Sequence, residues 1–392
     1  MKVLYLSVPD PRNHRYGGEQ RNNLLWEAVK AIPGVEVFTL CRSNEKENKR
    51  ISSHFGQFYT QKHKASSFID RVIRYLKEKL FFKTSFTATP LYDPPSIEYF
   101  FPDVFFDIVV CRYIEVLMFF DIRKFKVPVY IDVDDYPITR FNTTVCREHD
   151  YNFVSAIFWR LILKMNFYYA SIHWKGAWIA NKSDIGKIGL RKNVFLLDNI
   201  PFQENSRNLS MSRKNVLLTV GHLGYPPNIH GISMFLQDIW PKVHSMFPQL
   251  EYWIVGRYPI RLKVAEWESH VNVHVLANVE NLDELYDRCL ASVVPVLEGS
   301  GTCIKVLESL SYSRICISTP FGARGMENAD SDMLDKGIFC YQNSDDFCEI
   351  LKGLIDMPVP ELQKIENKAY LFVTNNYSRD NFAKQVRALL LK

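Results

Sequence analysis

Twelve short apolar runs recur along this chain, separated by segments of helical length, and no other feature limits its fold so strongly. Six lie in the first half, at residues 3–6, 35–40, 106–111, 127–133, 177–180 and 194–197. Six more follow at 215–220, 252–255, 271–275, 291–296, 315–318 and 337–340. Apolar runs spaced by helix-length segments are the pattern of parallel strands wrapped by helices. Two such sets predict two doubly wound α/β domains, and a chain of 392 residues is too long for one ordinary core.

Asn199-Ile200-Pro201 closes the last run of the first set, and the polar stretch 203–214 reads as a linker. The expected domains are therefore 1–204 and 205–377. Residues 378–392 open with a capping Ser-Arg-Asp and form a candidate helix for crossing back onto the first domain.

With 47% hydrophobic and 23% charged residues the chain is globular. The net charge of +5 suits an anionic ligand or a membrane surface but gives no concentrated basic face for nucleic acid. The apolar start at residues 3–6 is far short of a signal-peptide core. Residues 153–174 are interrupted by Arg160, Lys164, Asn166, Ser171 and His173, so no spanning helix is expected and a soluble cytoplasmic protein is. The eight cysteines are scattered without a Cys-x-x-Cys pair, which favours buried free thiols over disulfides or a zinc site. Residues 71–83 alternate basic and apolar side chains as an amphipathic helix does. Its apolar side either packs on the core, the expected arrangement, or lies on an anionic membrane.

The strongest chemical signal runs from Val294 to Leu310. An apolar strand ends at Pro295, a turn carries Gly299, Ser300 and Gly301, and a helix is expected from about Thr302. Glycines that allow close backbone approach, followed by a helix N-terminus, make an anion site suited to a diphosphate. Lys305 and Glu308 share one face of that helix. Lys305 is placed for a phosphate, and the two oxygens of Glu308 suit a vicinal ribose diol. The alternative is a plain surface ion pair between them.

This segment, Gly-Ser-Gly-Thr-x-x-Lys-x-Leu-Glu, resembles the donor-binding segment of the large group of retaining GT-B glycosyltransferases. The likeness extends over Val220 to Asn228, Ile254-Val255-Gly256 and Ser318 to Met326, and it covers 215–326 best. It implies a GT-B fold of two Rossmann-like domains facing a cleft, with the nucleotide-sugar donor on the second. In that family one glutamate holds the donor sugar and another, eight places on, the ribose. Glu308 matches the second, but the first position is Ser300, with Glu298 two residues earlier as a substitute. Where many members carry a phosphate-binding Arg and Lys, this chain offers His222 and Asn228, leaving Lys305 to supply the charge.

In the first half, Gly17-Gly18-Glu19 sits between the first strand and a helix expected near Gln20, where the family has a glycine-rich loop beside the donor diphosphate. Carboxylates cluster at Asp132, Asp134 and Asp135, the end of an apolar strand, where an open α/β sheet places its sites. The resemblance sets Asp134 where many members have a histidine, and Asp134 and Lys305 are the catalytic candidates. Asp132 and Asp134 also fit an Asp-x-Asp metal pair, but that belongs to a different, single-domain fold, so no metal or other cofactor is expected. Asp132 and Asp135 have a structural alternative, capping or pairing with Arg140.

The implied activity is transfer of a sugar from a nucleoside diphosphate sugar to a hydroxyl of a glycan or lipid-linked acceptor, with peripheral contact to the inner face of the membrane. A GT-B-like protein that binds without transfer and a sugar-nucleotide epimerase remain alternatives. Neither half has the Gly-x-Gly-x-x-Gly of a nicotinamide dehydrogenase.

Overall fold

A computed structural model describes residues 1–60, 67–84, 87, 90–93, 95–142, 152–188, 193–202, 215–299, 302–326 and 333–392. The chain divides into two compact units, Met1–Asp198 with Arg379–Lys392, and Asn199–Ser378. Helices of eight residues or more are numbered α1 (Gly17–Lys30), α2 (Phe68–Thr84), α3 (Phe153–Ser171), α4 (Pro226–Asp238), α5 (Arg261–Glu268), α6 (Ile304–Ser311), α7 (Ser344–Asp356), α8 (Val359–Asn376) and α9 (Arg379–Leu390).

The first unit holds β1 (Lys2–Ser7), β2 (Glu36–Arg42), β3 (Lys49–Arg50), β4 (Phe55–Phe58), β5 (Ile108–Arg112), β6 (Val129–Asp134), β7 (Gly176–Ile179) and β8 (Val194–Leu196). Their order is β3-β4-β2-β1-β5-β6-β7-β8, parallel except where β3 runs against β4. Val3, Leu4, Tyr5 and Leu6 are all fully buried, as expected of a parallel strand covered on both faces. The order reverses at β1, with β2 on one side and β5 on the other. Strand ends at such a switch point are where open α/β sheets bind ligands. α9 packs on α1 within this unit, so the C-terminal helix returns to the first sheet.

α1 begins at Gly17 rather than near Gln20. Glu19 explains the earlier start: its carboxylate accepts the Arg15 N–H at 2.9 Å and pairs with the Arg15 guanidinium at 2.6 Å, fixing the turn before the helix. α2 does not bury its apolar side as expected, because Phe68, Ile69, Val72, Ile73, Tyr75 and Leu76 are exposed.

The second unit holds β9 (Val216–His222), β10 (Glu251–Arg257), β11 (Val273–Ala277), β12 (Cys289–Val294), β13 (Cys316–Ser318) and β14 (Ile338–Cys340). The order β11-β10-β9-β12-β13-β14 is parallel throughout and reverses between β9 and β12. Gly256 lies beside Gly221 across β10 and β9, and a Cβ on Gly256 would stand 1.7 Å from the Gly221 carbonyl oxygen. Among the described residues no helix is long and apolar enough to cross a membrane, and Cys41, Cys111, Cys289, Cys303, Cys316, Cys340 and Cys348 are free thiols. Cys146 lies outside the described residues.

Candidate functional site

The switch point of the second sheet gathers most of the residues singled out there. β9 ends in Gly221-His222, and α4 follows with Tyr225 as its cap and proline in its first turn. Asn228, in that turn, is buried and donates from Nδ2 to the His222 carbonyl at 2.8 Å. Its Oδ1 accepts from Lys305 Nζ at 2.8 Å. Gly221 leaves room for this lysine, since a Cβ there would stand 2.7 Å from Lys305 Cε. His222 stacks on Tyr258 at 4.8 Å, and its Nδ1 accepts the Gly224 N–H at 3.1 Å. An accepting Nδ1 places the proton of a neutral ring on Nε2, which is then a donor.

β12 and α6 meet around Gly299, whose φ of 129° only glycine adopts freely. α6 begins at Ile304, not at Thr302, with Cys303 as its cap residue and no side-chain cap. Thr302 is buried beneath the loop after β13. That loop is tied to the β12 end: Thr319 Oγ1 donates to the Val296 carbonyl and accepts the Gly322 N–H at 2.9 Å, and Gly325 turns with a φ of 84° beside Thr302. Ser300 and Gly301 lie outside the described residues.

Glu308 sits one turn beyond Lys305. Burial pushes its carboxyl up to about 7, against the pull of Lys305. Lys305 makes its bond to Asn228 instead, and no group among the described residues hydrogen-bonds the Glu308 carboxyl. The surface ion pair considered from the sequence therefore does not form among them. Glu308 also acts electrostatically on Tyr286, whose buried hydroxyl has no hydrogen-bond partner among the described residues. Glu298 is bonded to His230 of α4 at 3.1 Å.

In the first unit the strand ends of β5 and β6 carry a buried four-membered ion cluster. Arg21 of α1 grips Asp132 bidentately, at 2.9 and 2.8 Å, and donates to the Leu197 carbonyl at 2.9 Å. Arg112 lies 3.0 Å from Asp132 and 2.8 Å from Asp134, which is also 3.4 Å from Arg21. Two guanidinium groups thus balance two carboxylates. Although burial works against the charge, Arg112 and Arg21 hold the Asp134 carboxyl below the usual range. Asp134 has a φ of 64° at an irregularity in the β6–β7 pairing, a conformation aspartate tolerates better than most residues.

Both members of the Asp-x-Asp pair are therefore occupied by guanidinium donors, which a divalent cation would have to displace. Arg140 bonds Glu115 at 2.8 Å, with Asp135 adding to the field that keeps it charged. Gly17 and Gly18 open α1 beside this cluster. A Cβ on Gly18 would stand 2.1 Å from the Tyr113 hydroxyl, and Arg112 in turn stacks on the Tyr113 ring at 3.5 Å.

Sequence reasoning missed Arg21, Arg112 and Tyr286. Arg112 had a usable signal, a charge closing the apolar run Ile108-Val109-Val110-Cys111, because a charge ending a buried strand needs a partner. Arg21 and Tyr286 lie within helices and carry no comparable mark.

Residues 214–357 match the family described as Glycosyl transferases group 1. That match falls within the second unit, Asn199–Ser378. Across the whole chain the backbone resembles Anabaena HepE, solved with UDP and glucose, at a TM-score of 0.60, 10% identity and 100% coverage of both chains. The fold is GT-B. S. aureus TarM shares it at a TM-score of 0.55 and 12% identity, over 73% of this chain and 55% of TarM. In sequence, an uncharacterized 44.6 kDa protein of the Klebsiella pneumoniae cps region is 22% identical over 199 residues, 47% of this chain and 49% of that protein. The match thus spans about half the length of this curated relative. In the GT-B frame, His222, Asn228, Lys305 and Glu308 all lie within the matched residues, near the switch point of the second sheet.

Proposed function

We propose that this protein is a glycosyltransferase that moves a hexosyl or related sugar from a nucleoside diphosphate sugar to a hydroxyl of a glycan or lipid-linked acceptor, with retention of configuration, in cell-surface polysaccharide synthesis. The observation that carries this reading is Glu308, a carboxyl without a partner among the described residues, one helical turn from a lysine at the start of α6. Two carboxylate oxygens match the paired hydroxyls of a ribose. Lys305 and the N-terminal amides of α6 then lie toward the diphosphate, where charge develops as the sugar departs.

In the reaction the acceptor oxygen bonds to the anomeric carbon and the bond from that carbon to the diphosphate oxygen breaks. The diphosphate leaves with the electron pair, and a donor phosphate oxygen takes the acceptor proton. Lys305 balances the new charge without a metal ion. Because HepE was solved with UDP and glucose, a UDP-hexose is the first donor to test. The cps-region setting of the Klebsiella relative supports a capsular or related glycan as product. We place the protein in the cytoplasm, peripheral to the inner face of the membrane, where lipid-linked acceptors are available.

The test is a thermal-shift panel of UDP-, GDP-, dTDP- and CMP-sugars on the wild type and on Glu308→Ala. A ligand at 100 times its Kd adds about 2.7 kcal/mol, a shift of a few degrees. A shift with one nucleotide class that Glu308→Ala loses is expected; no shift with any class overturns the donor site. A second reading, binding without transfer, is favoured by Ser300 at the place of the family's sugar-binding glutamate and by the engagement of Glu298 with His230. It predicts the same shift but no nucleoside diphosphate release with any acceptor.

A further inference from the structure

α3 is apolar on both sides. Ala156, Leu163, Phe167 and Ala170 seal the core of the first unit, while Phe153, Val154, Phe158, Leu161, Met165 and Tyr168 point outward. Phe153 is 78% exposed, Val154 75% and Met165 68%. A surface helix in water keeps a polar face opposite its buried one, and this helix has none. α2 lies against α3 and extends the apolar surface with Phe68, 72% exposed, and Ile69, 67% exposed. Contiguous apolar surface of this kind marks a contact with a protein or a membrane.

The charges around it select between the two. A groove of about 520 Å³ runs beside α3, lined by Ile138, Ile157, Leu161, Arg160, Lys164 and Lys187; Lys187 is paired with Asp184 at 3.0 Å, whereas Arg160 donates only to the neutral Asn142, at 2.6 Å. Lys164 has no partner among the described residues. Arg160 and Lys164 are four residues apart, so their heads rise on one flank while their stems lie along the apolar surface. A twofold contact between two copies through this face would set these cations against each other. A bilayer of anionic lipids meets the apolar face with acyl chains and the cations with phosphates.

We propose that the outward face of α3, extended by α2, docks into the interface of an anionic bilayer, with Arg160 and Lys164 binding the lipid phosphates. The contact gives the peripheral location proposed above a defined surface, and it moves the centre of that contact from the basic 71–83 segment to α3. Vesicle binding is read without nucleotide or acceptor, so its outcome is separate from that of the donor panel.

The experiment is co-sedimentation of the full chain with vesicles of phosphatidylcholine alone and of phosphatidylcholine with phosphatidylglycerol. The protein is expected to pellet with the anionic vesicles, less so as salt rises, and to stay soluble with the neutral ones. Leu161→Glu/Met165→Glu, at exposed positions, should abolish pelleting with an unchanged melting temperature. Arg160→Gln/Lys164→Gln should weaken it about tenfold or more. Wild-type protein remaining in the supernatant, or equal pelleting of the Leu161→Glu/Met165→Glu variant, overturns the proposal. So does a dimer by light scattering that this variant makes monomeric while vesicles go unbound.

Discussion

Lys305 donates to Asn228 Oδ1 at 2.8 Å, and the same amide donates from Nδ2 to the His222 carbonyl, also at 2.8 Å. The first turn of α4, the end of β9 and the first turn of α6 are thereby fixed to one another. The ammonium is held in place by a neutral amide, so its charge is not cancelled by a carboxylate there. A lysine positioned this way is available to an anion without first breaking an ion pair.

Replacing Lys305 with methionine should therefore weaken donor binding by about 10–100-fold, the range for losing a bond to a charged group, and lower kcat as well. Asn228→Ala should weaken donor binding by less, since the charge remains and only its tether is lost. Calorimetric titration with the donor identified by the thermal panel reads both. An affinity unchanged in Lys305→Met would remove the lysine from the diphosphate site.

Glu308 predicts two pH dependences of opposite sign. Its carboxyl ionises at about 7 in the folded chain, against an ordinary value near 4.5. Between these the folded state keeps a proton that the unfolded chain has lost, so stability falls as pH rises through that window and levels off above it. The full effect is no more than about 3 kcal/mol, less because the side chain is only partly buried. Glu308→Gln should flatten that slope in urea unfolding between pH 4.5 and 8. Donor affinity should rise about tenfold from pH 6 to pH 8, because the ionised carboxylate accepts the ribose hydroxyls. An affinity that falls over that interval would mean the neutral acid binds the donor.

The ion cluster of the first unit makes a stability prediction. Arg112→Met leaves Asp132 and Asp134 facing one guanidinium in a buried site, at a cost of about 3–5 kcal/mol. Arg112→Lys should recover little, since one ammonium cannot span both carboxylates. Urea unfolding decides it; a loss under 1 kcal/mol would show that water enters and relieves the charge.

The two sheets were legible because apolar runs buried on both faces announce parallel strands, and each of the twelve expected runs overlaps an observed strand. The short strands Lys49–Arg50 and Phe55–Phe58 were not: the first is wholly polar and the second too brief to show a period. The outward face of α3 was read only as a poor spanning segment, because the sequence does not tell which side of a largely apolar helix meets the core. Lys305, Asn228 and His222 were legible through the strand, turn and helix order around them. The Arg21–Asp132 contact joins residues 111 positions apart and depends on a topology no local pattern encodes.

Gly18 offers the sharpest test of packing at the start of α1. A Cβ there would stand 2.1 Å from the Tyr113 hydroxyl but 3.4 Å from the ring carbon that bears it. Tyr113 has little freedom to withdraw, since its φ is 69° and Arg112 covers its ring at 3.5 Å. Gly18→Ala should therefore destabilise by about 1–3 kcal/mol through overpacking. Tyr113→Phe removes the clashing oxygen and leaves an ordinary contact, so the double variant should be more stable than the sum of the two single changes implies. A cycle of four melting curves measures that coupling. Additive effects would mean that α1 shifts to admit the methyl group, and the intolerance of Gly18 to a side chain would then rest on something other than Tyr113.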